Sequence, residues 1–469
     1  MARSAGVVDQ GNSFEQPPRI CAAFLDCAAL LFDREQRGVS FCESSAHKSA
    51  IVAGVRKWKF VIVAAAVIAY APAINNGFIA DDYVILNRIE ILKTSPLFLL
   101  DAAPENFRLT SYAVFGVLKA LFGYDFHFFY GFNILLHALN CLLLFRLVLV
   151  MSKSSELSAL SALFFAVFAA PQEAVMWLAA MNETLFGFFT FLTLLLWFRE
   201  RRALSALCFA AALFSKESAV VVLLLLPLME YASGRRTQWR RYAGYAAPAT
   251  AFAAMFIWTF SHNFQIKYGN YAFGPHGVLV LLRSLHRLFW PWAYVVAAFI
   301  LVRRRSWEEW KPVALWGSMI AVAMLPYIFV TYTNSIPSRQ VYLASAAFLP
   351  LLAAGMIRIN AKVFASVFVL FNAGYIWIVK DPQMTARAAP TTELIDILRH
   401  VPPGPIEILN FAYPFVDIAQ AAAITVPGWR WDQVHVGDVC SDCTVIEWNR
   451  ETQTYSPKSP PTNLAPAGP

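Results

Sequence analysis

The stretch Phe60-Val61-Ile62-Val63-Ala64-Ala65-Ala66-Val67-Ile68-Ala69-Tyr70-Ala71-Pro72-Ala73-Ile74-Asn75 runs without a charge into Asn76-Gly77-Phe78-Ile79-Ala80-Asp81-Asp82-Tyr83. An apolar run of this kind approaches the ~20 residues that cross a bilayer. Arg56, Lys57 and Lys59 precede it, as basic residues do at the cytoplasmic end of a span. Two adjacent carboxylates then stand where the chain leaves the hydrocarbon, a costly place for ionisable groups and for that reason an informative one.

The rest of the chain repeats the pattern. Of 469 residues, 58% are hydrophobic and 15% aromatic, and only 14% are charged, against roughly 25% in a soluble domain. Apolar runs fall at 59–75, 126–150, 157–171, 182–198, 203–215, 218–231, 242–261, 278–302, 312–330, 341–358 and 361–379. They predict an all-α polytopic membrane protein with about eleven spans. The net charge of +8 resides in short Lys and Arg clusters between the runs, which argues for the lipid bilayer as partner and against nucleic acid.

Those clusters are Arg56 to Lys59, Lys153, Arg199 to Arg202, Arg235 to Arg241, Arg303 to Arg305, and Arg358 with Lys362. If the spans alternate, every cluster lies on one side, which the positive-inside rule makes cytoplasmic. The expected location is the cell inner membrane, with a cytoplasmic N-terminus. The opposite, exoplasmic (periplasmic) face receives 76–125, 172–181, the turn near 216, 262–277, 331–340 and everything past 380.

Four regions follow. Residues 1–55 read as a disordered cytoplasmic tail; the run Ile20 to Phe32 is too short to span, contains Asp26 and does not resemble a cleaved signal peptide. Residues 56–380 form the transmembrane domain, and 381–455 a small exoplasmic α/β domain. Within it, Thr392 to His400 and Phe415 to Ala423 have helical spacing, while Ile406 to Phe411 and Trp431 to Val436 read as strands. Residues 456–469 are Pro-rich and read as a disordered tail. Cys440-Ser441-Asp442-Cys443 fits a local disulfide on the exoplasmic side; a redox motif needs a thioredoxin-like setting, and a zinc site needs ligands beyond His435 and nearby acidic residues.

Several polar groups join Asp81 and Asp82 on the exoplasmic face. Glu173 lies in Pro171-Gln172-Glu173-Ala174-Val175-Met176-Trp177, Lys216 and Glu217 interrupt an apolar stretch, and Arg339 and Tyr342 lie in Ser338-Arg339-Gln340-Val341-Tyr342-Leu343. Each has a plain reading. The paired aspartates cap a helix, Lys216 and Glu217 form a solvated turn, and Arg339 snorkels to headgroups. Together they offer acid–base chemistry: a carboxylate whose pKa is raised beside hydrocarbon suits a general base, and Lys and Arg hold phosphate. Tyr130, Asn133, His137 and Asn140 share one helical face, which either packs helices through polar contacts or lines a cavity. Arg283, His286 and Arg287 meet either a lipid phosphate or headgroups.

The segments Asn76-Gly77-Phe78 to Asp81-Asp82-Tyr83, Phe122-Gly123 through Asn133 and His137, Glu173 to Trp177 with Ser215-Lys216-Glu217, and Ser338-Arg339 with Tyr342, Leu343 and Ser345 are similar to the GT-C superfamily of membrane glycosyltransferases. Within it the chain resembles the protein O-mannosyltransferase-like proteins, including those that carry tetratricopeptide repeats, without the repeats. It departs from the family at Arg108-Leu109, where Arg-Pro is usual, at Phe168-Ala169-Ala170, where a His is common, and at Ala344. The resemblance implies an inverting transfer from a polyprenyl-phosphate sugar donor to an acceptor hydroxyl on protein, lipid or polysaccharide. Asp81 would be the general base, with Asp82 structural, or the base if the pair is reversed. Arg339 and Lys216 would face the departing phosphate, assisted by Tyr342, with Glu173, Glu217, Arg108 and His137 around the substrates. Some relatives hold a divalent cation with carboxylates, and Glu173 would join Asp81 in such a site, although a phosphate-linked donor reacts without metal. The rival class is a transporter or lipid flippase; those usually show internal repeats and broken helices near the midplane, and the candidate charges here gather at one face.

Overall fold

The computed structural model describes residues 45–98, 107–259, 269–295, 297, 311–331, 333, 336–357, 361–437 and 443–458. Contacts divide the chain into two compact units, Met1–Ala53 and Gly54–Pro469. In the first, only the opening of helix α1 (Ser45–Tyr70) is described; the rest of the N-terminal tail, Arg303 to Arg305, Arg358, Cys440 and the tail past 458 lie outside the described residues.

The second unit continues with α2 (Asp81–Thr94), α3 (Leu109–Phe122), α4 (Phe126–Ser152), α5 (Ser155–Val167), α6 (Met181–Phe198), α7 (Arg202–Leu213), α8 (Val222–Ala232), α9 (Ala243–Thr259), α10 (His276–Phe289), α11 (Lys311–Met324), α12 (Tyr342–Ile357), α13 (Ala361–Tyr375) and α14 (Asp381–His400). Among the described residues, five segments are long and apolar enough to cross a membrane: Arg56–Asn75, Phe126–Ser152, Leu178–Phe198, Ser338–Ile357 and Lys362–His400. The protein is a helical membrane protein.

The expected count of about eleven spans is corrected by the lengths of the helices. Helix α5 has 13 residues, about 20 Å at ~1.5 Å per residue, against a hydrocarbon core of ~30 Å. It ends at Val167, where the chain turns extended before Pro171, although the apolar residues continue. Helix α7 stops before the Ser215-Lys216-Glu217 turn, and α10 ends at Phe289 before Trp290-Pro291. Hydropathy runs straight through such breaks; helices do not. Conversely α3, inside the segment expected to be extramembrane, is itself a short apolar helix.

Helices α4, α6 and α12 bury most of their side chains and form the middle of the bundle. On α1 and α13, Phe60, Ile68 and Leu370 stand exposed, as does Ile378 just beyond α13; an apolar outer surface of this kind is stable against lipid rather than water. At one end of the bundle Glu200 draws in Arg202 at 3.2 Å, Arg235 at 3.1 Å and Arg241 at 3.6 Å, joining two of the basic loops that the charge pattern assigned to one face.

The segment Lys362–His400 is one helical rod of 39 residues, continuous through a π-helical turn at Ile376–Lys380. At ~1.5 Å per residue it is about 58 Å long, longer than a hydrocarbon core of ~30 Å, and it runs into the C-terminal domain without a linker. The expected boundary at 380 falls inside it. A four-stranded mixed sheet follows, β1 (Ile406–Leu409), β2 (Val434–Val436), β3 (Thr444–Asn449) and β4 (Thr454–Lys458), in the order β2-β1-β3-β4. Strand β1 runs parallel to β2 and β3, and β4 antiparallel to β3. The expected helix Thr392 to His400 is the end of α14, which begins at Asp381, while the other expected helix and the two strands are present with trimmed ends, Trp431 to Gln433 forming a 3-10 turn before β2. Strand β4 extends past the expected boundary at 455, with Pro457 opposite Ile446; proline is tolerated on an edge strand. Helix α15 (Val416–Ala423), between β1 and β2, packs on both α14 and α2, so the small domain backs the helix that begins with Asp81. Cys443 is disulfide-bonded.

Candidate functional site

The turn at 76–82 is fixed from three directions. The Tyr130 hydroxyl donates to Gly77 O at 2.9 Å, Thr391 Oγ1 to Phe78 O at 3.2 Å, and Trp177 Nε1 to Ile79 O at 3.3 Å. Gly77 has φ +74°, and a Cβ there would lie 3.2 Å from Thr392 Oγ1, so both backbone and neighbour favour glycine. Ala80 is held at φ 43°, a conformation costing a non-glycine residue on the order of 1–3 kcal/mol.

This turn separates the two carboxylates. Asp82 is fully buried. Its Oδ2 accepts the Ile79 N–H at 2.7 Å and its Oδ1 the Ala179 N–H at 2.5 Å, tying the turn to the segment before α6. Burial pushes its carboxyl well above the usual range, against those two bonds. Asp81 is exposed and makes no hydrogen bond or ion pair among the described residues. The protein walls around it raise its carboxyl, partly countered by Arg339, Arg387 and Arg88. One carboxylate is locked into the fold, and its neighbour faces open space among guanidinium groups.

Glu173 organises two of those groups. Its Oε2 accepts the Ser338 N–H at 2.9 Å, while its own N–H donates to Ser338 Oγ at 3.2 Å. Arg339 lies 3.5 Å from Oε2 and Arg387 3.2 Å from Oε1. Both guanidiniums sit over the Trp177 ring, at 4.7 and 4.4 Å. Burial disfavours the Glu173 anion, but Arg339, Arg387 and the two backbone N–H groups outweigh it and lower its pKa. Arg287 on α10 adds charge on the same side.

Lys216 belongs to a second cluster. Its ammonium pairs with the buried Glu183 and lies 4.9 Å from the Tyr327 ring centroid, and the Tyr327 hydroxyl donates to Glu183 Oε2 at 3.2 Å. Burial lowers the Lys216 pKa in spite of Glu183 and Glu217. Arg108 grips Glu217 with two bonds, at 3.1 and 2.9 Å. Burial opposes the Glu217 charge, yet Arg108 and Lys216 hold its pKa down to about 2. Lys216 is therefore engaged by protein carboxylate rather than presented beside Arg339.

Tyr342 and His137 are placed elsewhere again. Both are buried in the bundle, with His137 Nδ1 2.9 Å from the Tyr342 hydroxyl, which also accepts from Asn140 Nδ2 at 2.9 Å. Asn133 bonds the carbonyls of Ala174 and Val175 and accepts from Thr184 Oγ1. The polar stripe of α4 packs helices together and does not open onto Asp81.

The expected set is thus brought together in part. Asp81, Glu173 and Arg339 share one rim, Lys216, Glu217 and Arg108 form a neighbouring cluster, and His137 and Tyr342 form an internal seam. Sequence reasoning missed Arg387 and Glu183. Arg387 lies in Thr385-Ala386-Arg387-Ala388-Ala389-Pro390, seven residues past Lys380 at the end of an apolar run; Glu183 is a lone carboxylate at the head of one. Among the described residues no three His, Cys, Asp or Glu side chains converge as metal ligands. The carboxylate proposed to share a cation with Asp81, Glu173, is engaged by two arginines, which does not suit a metal ligand.

No family model matches the chain, and no curated protein matches it in sequence.

Proposed function

We propose that the protein is a GT-C-like glycosyltransferase that moves a sugar from a polyprenyl-phosphate donor to an acceptor hydroxyl at the exoplasmic face of the inner membrane. The Asp81 rim would face that side and the Glu200 end the cytoplasm, in keeping with the positive-inside rule. The acceptor oxygen attacks the anomeric carbon, its proton passes to Asp81, and the bond from that carbon to the phosphate oxygen breaks with its electron pair leaving on the polyprenyl phosphate. Arg339 and Arg387 stabilise charge growing on that phosphate, and Glu173 with Trp177 keeps the two guanidiniums aimed.

The observation that carries this reading is the contrast between adjacent carboxylates: Asp82 is bonded through both oxygens, while Asp81 is exposed and uncommitted in the field of Arg339, Arg387 and Arg88. A positioned general base contributes on the order of 10²–10⁴ in rate. The test is transfer of labelled sugar from purified polyprenyl-phosphate hexoses to the envelope fraction of gene-null cells by protein in nanodiscs. Asp81→Asn should lose that factor; equal rates for variant and wild type would remove Asp81 from the chemistry.

The transporter reading has one observation in its favour, the buried Lys216–Glu183 pair at the head of a span, since intramembrane charge pairs mark ion pathways. Uptake without sugar transfer in the same nanodiscs, reconstituted as vesicles, would favour it.

A further inference from the structure

Helix α10 has three faces, sorted by the ~100° between successive residues. Val280, Ser284 and Leu288 share one and are buried. Val278 and Leu282 share a second and are 63% and 59% exposed. His276, Arg283, His286 and Arg287 make the third, and no acidic residue occurs from His276 to Phe289. A helix packed on its protein through one apolar face needs no second one in water, so the face of Val278 and Leu282 calls for an apolar surrounding.

The contacts at its two ends fix how α10 lies. Just ahead of it, the Ala272 N–H donates to Phe329 O at 2.9 Å. In its first turn a Cβ on Gly277 would stand 2.7 Å from Ile328 O, so only glycine permits this approach of helix to backbone. Further along, Arg283 and Arg287 donate to the carbonyls of Thr333 and Ile336. The helix therefore follows residues 328–336, the connection between α11 and α12, and packs on the Ser338–Val341 turn. Helices α11 and α12 pack on each other, so their connection occupies one end of the bundle, the end that carries Arg339. With 14 residues α10 is about 21 Å long, short of a ~30 Å hydrocarbon core. Its exposed Arg283 and His286 would be costly inside that core.

We infer that α10 lies in the plane of the membrane interface at the Arg339 end of the protein and docks on phosphate-bearing lipid headgroups, with Val278 and Leu282 in the acyl region and His276, Arg283 and His286 toward the phosphates. The direction opposite the packed face runs between the apolar and the basic face, as a helix on the rim of a bundle requires when hydrocarbon lies on one side of it and headgroups on the other. Amphipathic helices of this composition sink ~5–10 Å into the headgroup and acyl boundary. The basic face, with no carboxylate on the helix, complements lipid phosphate. Exposed aromatic residues flank both ends, Phe273 before the helix and Trp290 and Tyr294 after it, where rings of this kind sit at headgroup level. The inference goes beyond the sugar-transfer reading and does not depend on it.

The test uses the full chain in vesicles of phosphatidylethanolamine and phosphatidylglycerol. Because the chain has seven cysteines, a nitroxide amino acid is placed by codon reassignment at Val278, Leu282 or His286, all outside the packed face. Electron paramagnetic resonance reads its depth from collisions with oxygen and with a water-soluble nickel chelate. Val278 and Leu282 are expected at one depth, ~5–10 Å into the interface, with His286 in the headgroup layer. A gap of about 6 Å between Val278 and Leu282, four residues at ~1.5 Å each, means that the helix stands upright and overturns the inference. Nickel contact without oxygen enrichment at both positions puts the face in water and overturns it too. The unmodified protein supplies a second reading: a phosphatidylglycerol with a diazirine in its acyl chain should leave adducts on α10 at Val278 and Leu282. If α1 and α13 are labelled in the same sample and α10 is not, the inference fails whatever the nitroxide variants show.

Discussion

Replacing Asp82 by asparagine tests the division of labour between the two adjacent carboxylates. In the native fold both oxygens accept backbone N–H bonds, at 2.7 and 2.5 Å, on a fully buried side chain. Asparagine keeps one acceptor oxygen and turns an NH₂ group against the other N–H. A hydrogen bond to a charged acceptor is worth about 1.5–3 kcal/mol, and the abandoned N–H costs about 1–3 kcal/mol. The two figures overlap, because part of the first is the desolvation in the second, so a net loss of about 3 kcal/mol is expected. With an unfolding entropy of ~2.1 cal/mol/K per residue, a unit of this size carries ~0.9 kcal/mol/K, and the thermal midpoint falls by ~3 °C. Asp81→Asn, at an exposed and uncommitted side chain, changes stability by under ~0.5 kcal/mol. Tryptophan fluorescence during heating in detergent micelles reads both. Activity should divide the other way, with Asp81→Asn losing transfer and Asp82→Asn retaining a measurable fraction of it. If Asp81→Asn lowers the midpoint as far as Asp82→Asn, or if Asp82→Asn abolishes transfer at an unchanged midpoint, the two roles have been assigned in reverse.

Other consequences follow from the same contacts. Lys216→Met leaves Glu183 buried without its partner and should destabilise by about 3–5 kcal/mol, with Lys216→Met/Glu183→Gln recovering much of it in the same melting assay. The Glu217 pKa is lowered from 4.5 to about 2, so its contribution to stability is complete above pH 4.5 and is lost as pH falls toward 2; the midpoint gap between wild type and Glu217→Gln should close across that window. Asp81 is active when deprotonated, and desolvation by the protein walls around it raises its pKa above the ordinary aspartate value, so kcat/KM should rise with pH through an acid limb above 3.8 that Asp81→Asn removes. Arg387→Lys should raise the donor KM nearly as far as Arg387→Ala, because an ammonium neither stacks on Trp177 nor matches a phosphate as a guanidinium does.

Much of the bundle was legible because the signal was strong and local. Charge-free runs and clustered Lys and Arg identify a helical membrane protein, and the basic loops that meet at Glu200 were grouped by their charge alone. The span count was not legible, since hydropathy sums side chains while helix length depends on Pro171, the Ser215-Lys216-Glu217 turn and Pro291, which interrupt backbone hydrogen bonding without lowering mean apolarity. Strands β3 and β4 were missed for a related reason: Pro457 reads as tail composition, although an edge position accommodates it.

The site was legible in types and not in partners. Asp81, Glu173 and Arg339 stand out as charges beside apolar runs, and they do share one rim. Nothing local distinguishes Lys216, which pairs across the bundle with Glu183, from a lysine facing a ligand. Nor does spacing reveal that Arg387, more than two hundred residues from Glu173, reaches it through the long helix Lys362–His400. Tyr342 is three residues from Arg339, yet it turns into the core, where its hydroxyl meets His137 and Asn140 of α4.

The central claim is that Asp81 drives consumption of a polyprenyl-phosphate sugar. Its most direct test is mass spectrometry of the polyprenyl-phosphate sugars in cells lacking the gene, complemented with wild type or with Asp81→Asn. One sugar-lipid should accumulate in the null strain and with Asp81→Asn, and return to its normal level with wild type, which would also identify the sugar. If Asp81→Asn restores the pool as fully as wild type does, Asp81 is not the base and the account is contradicted.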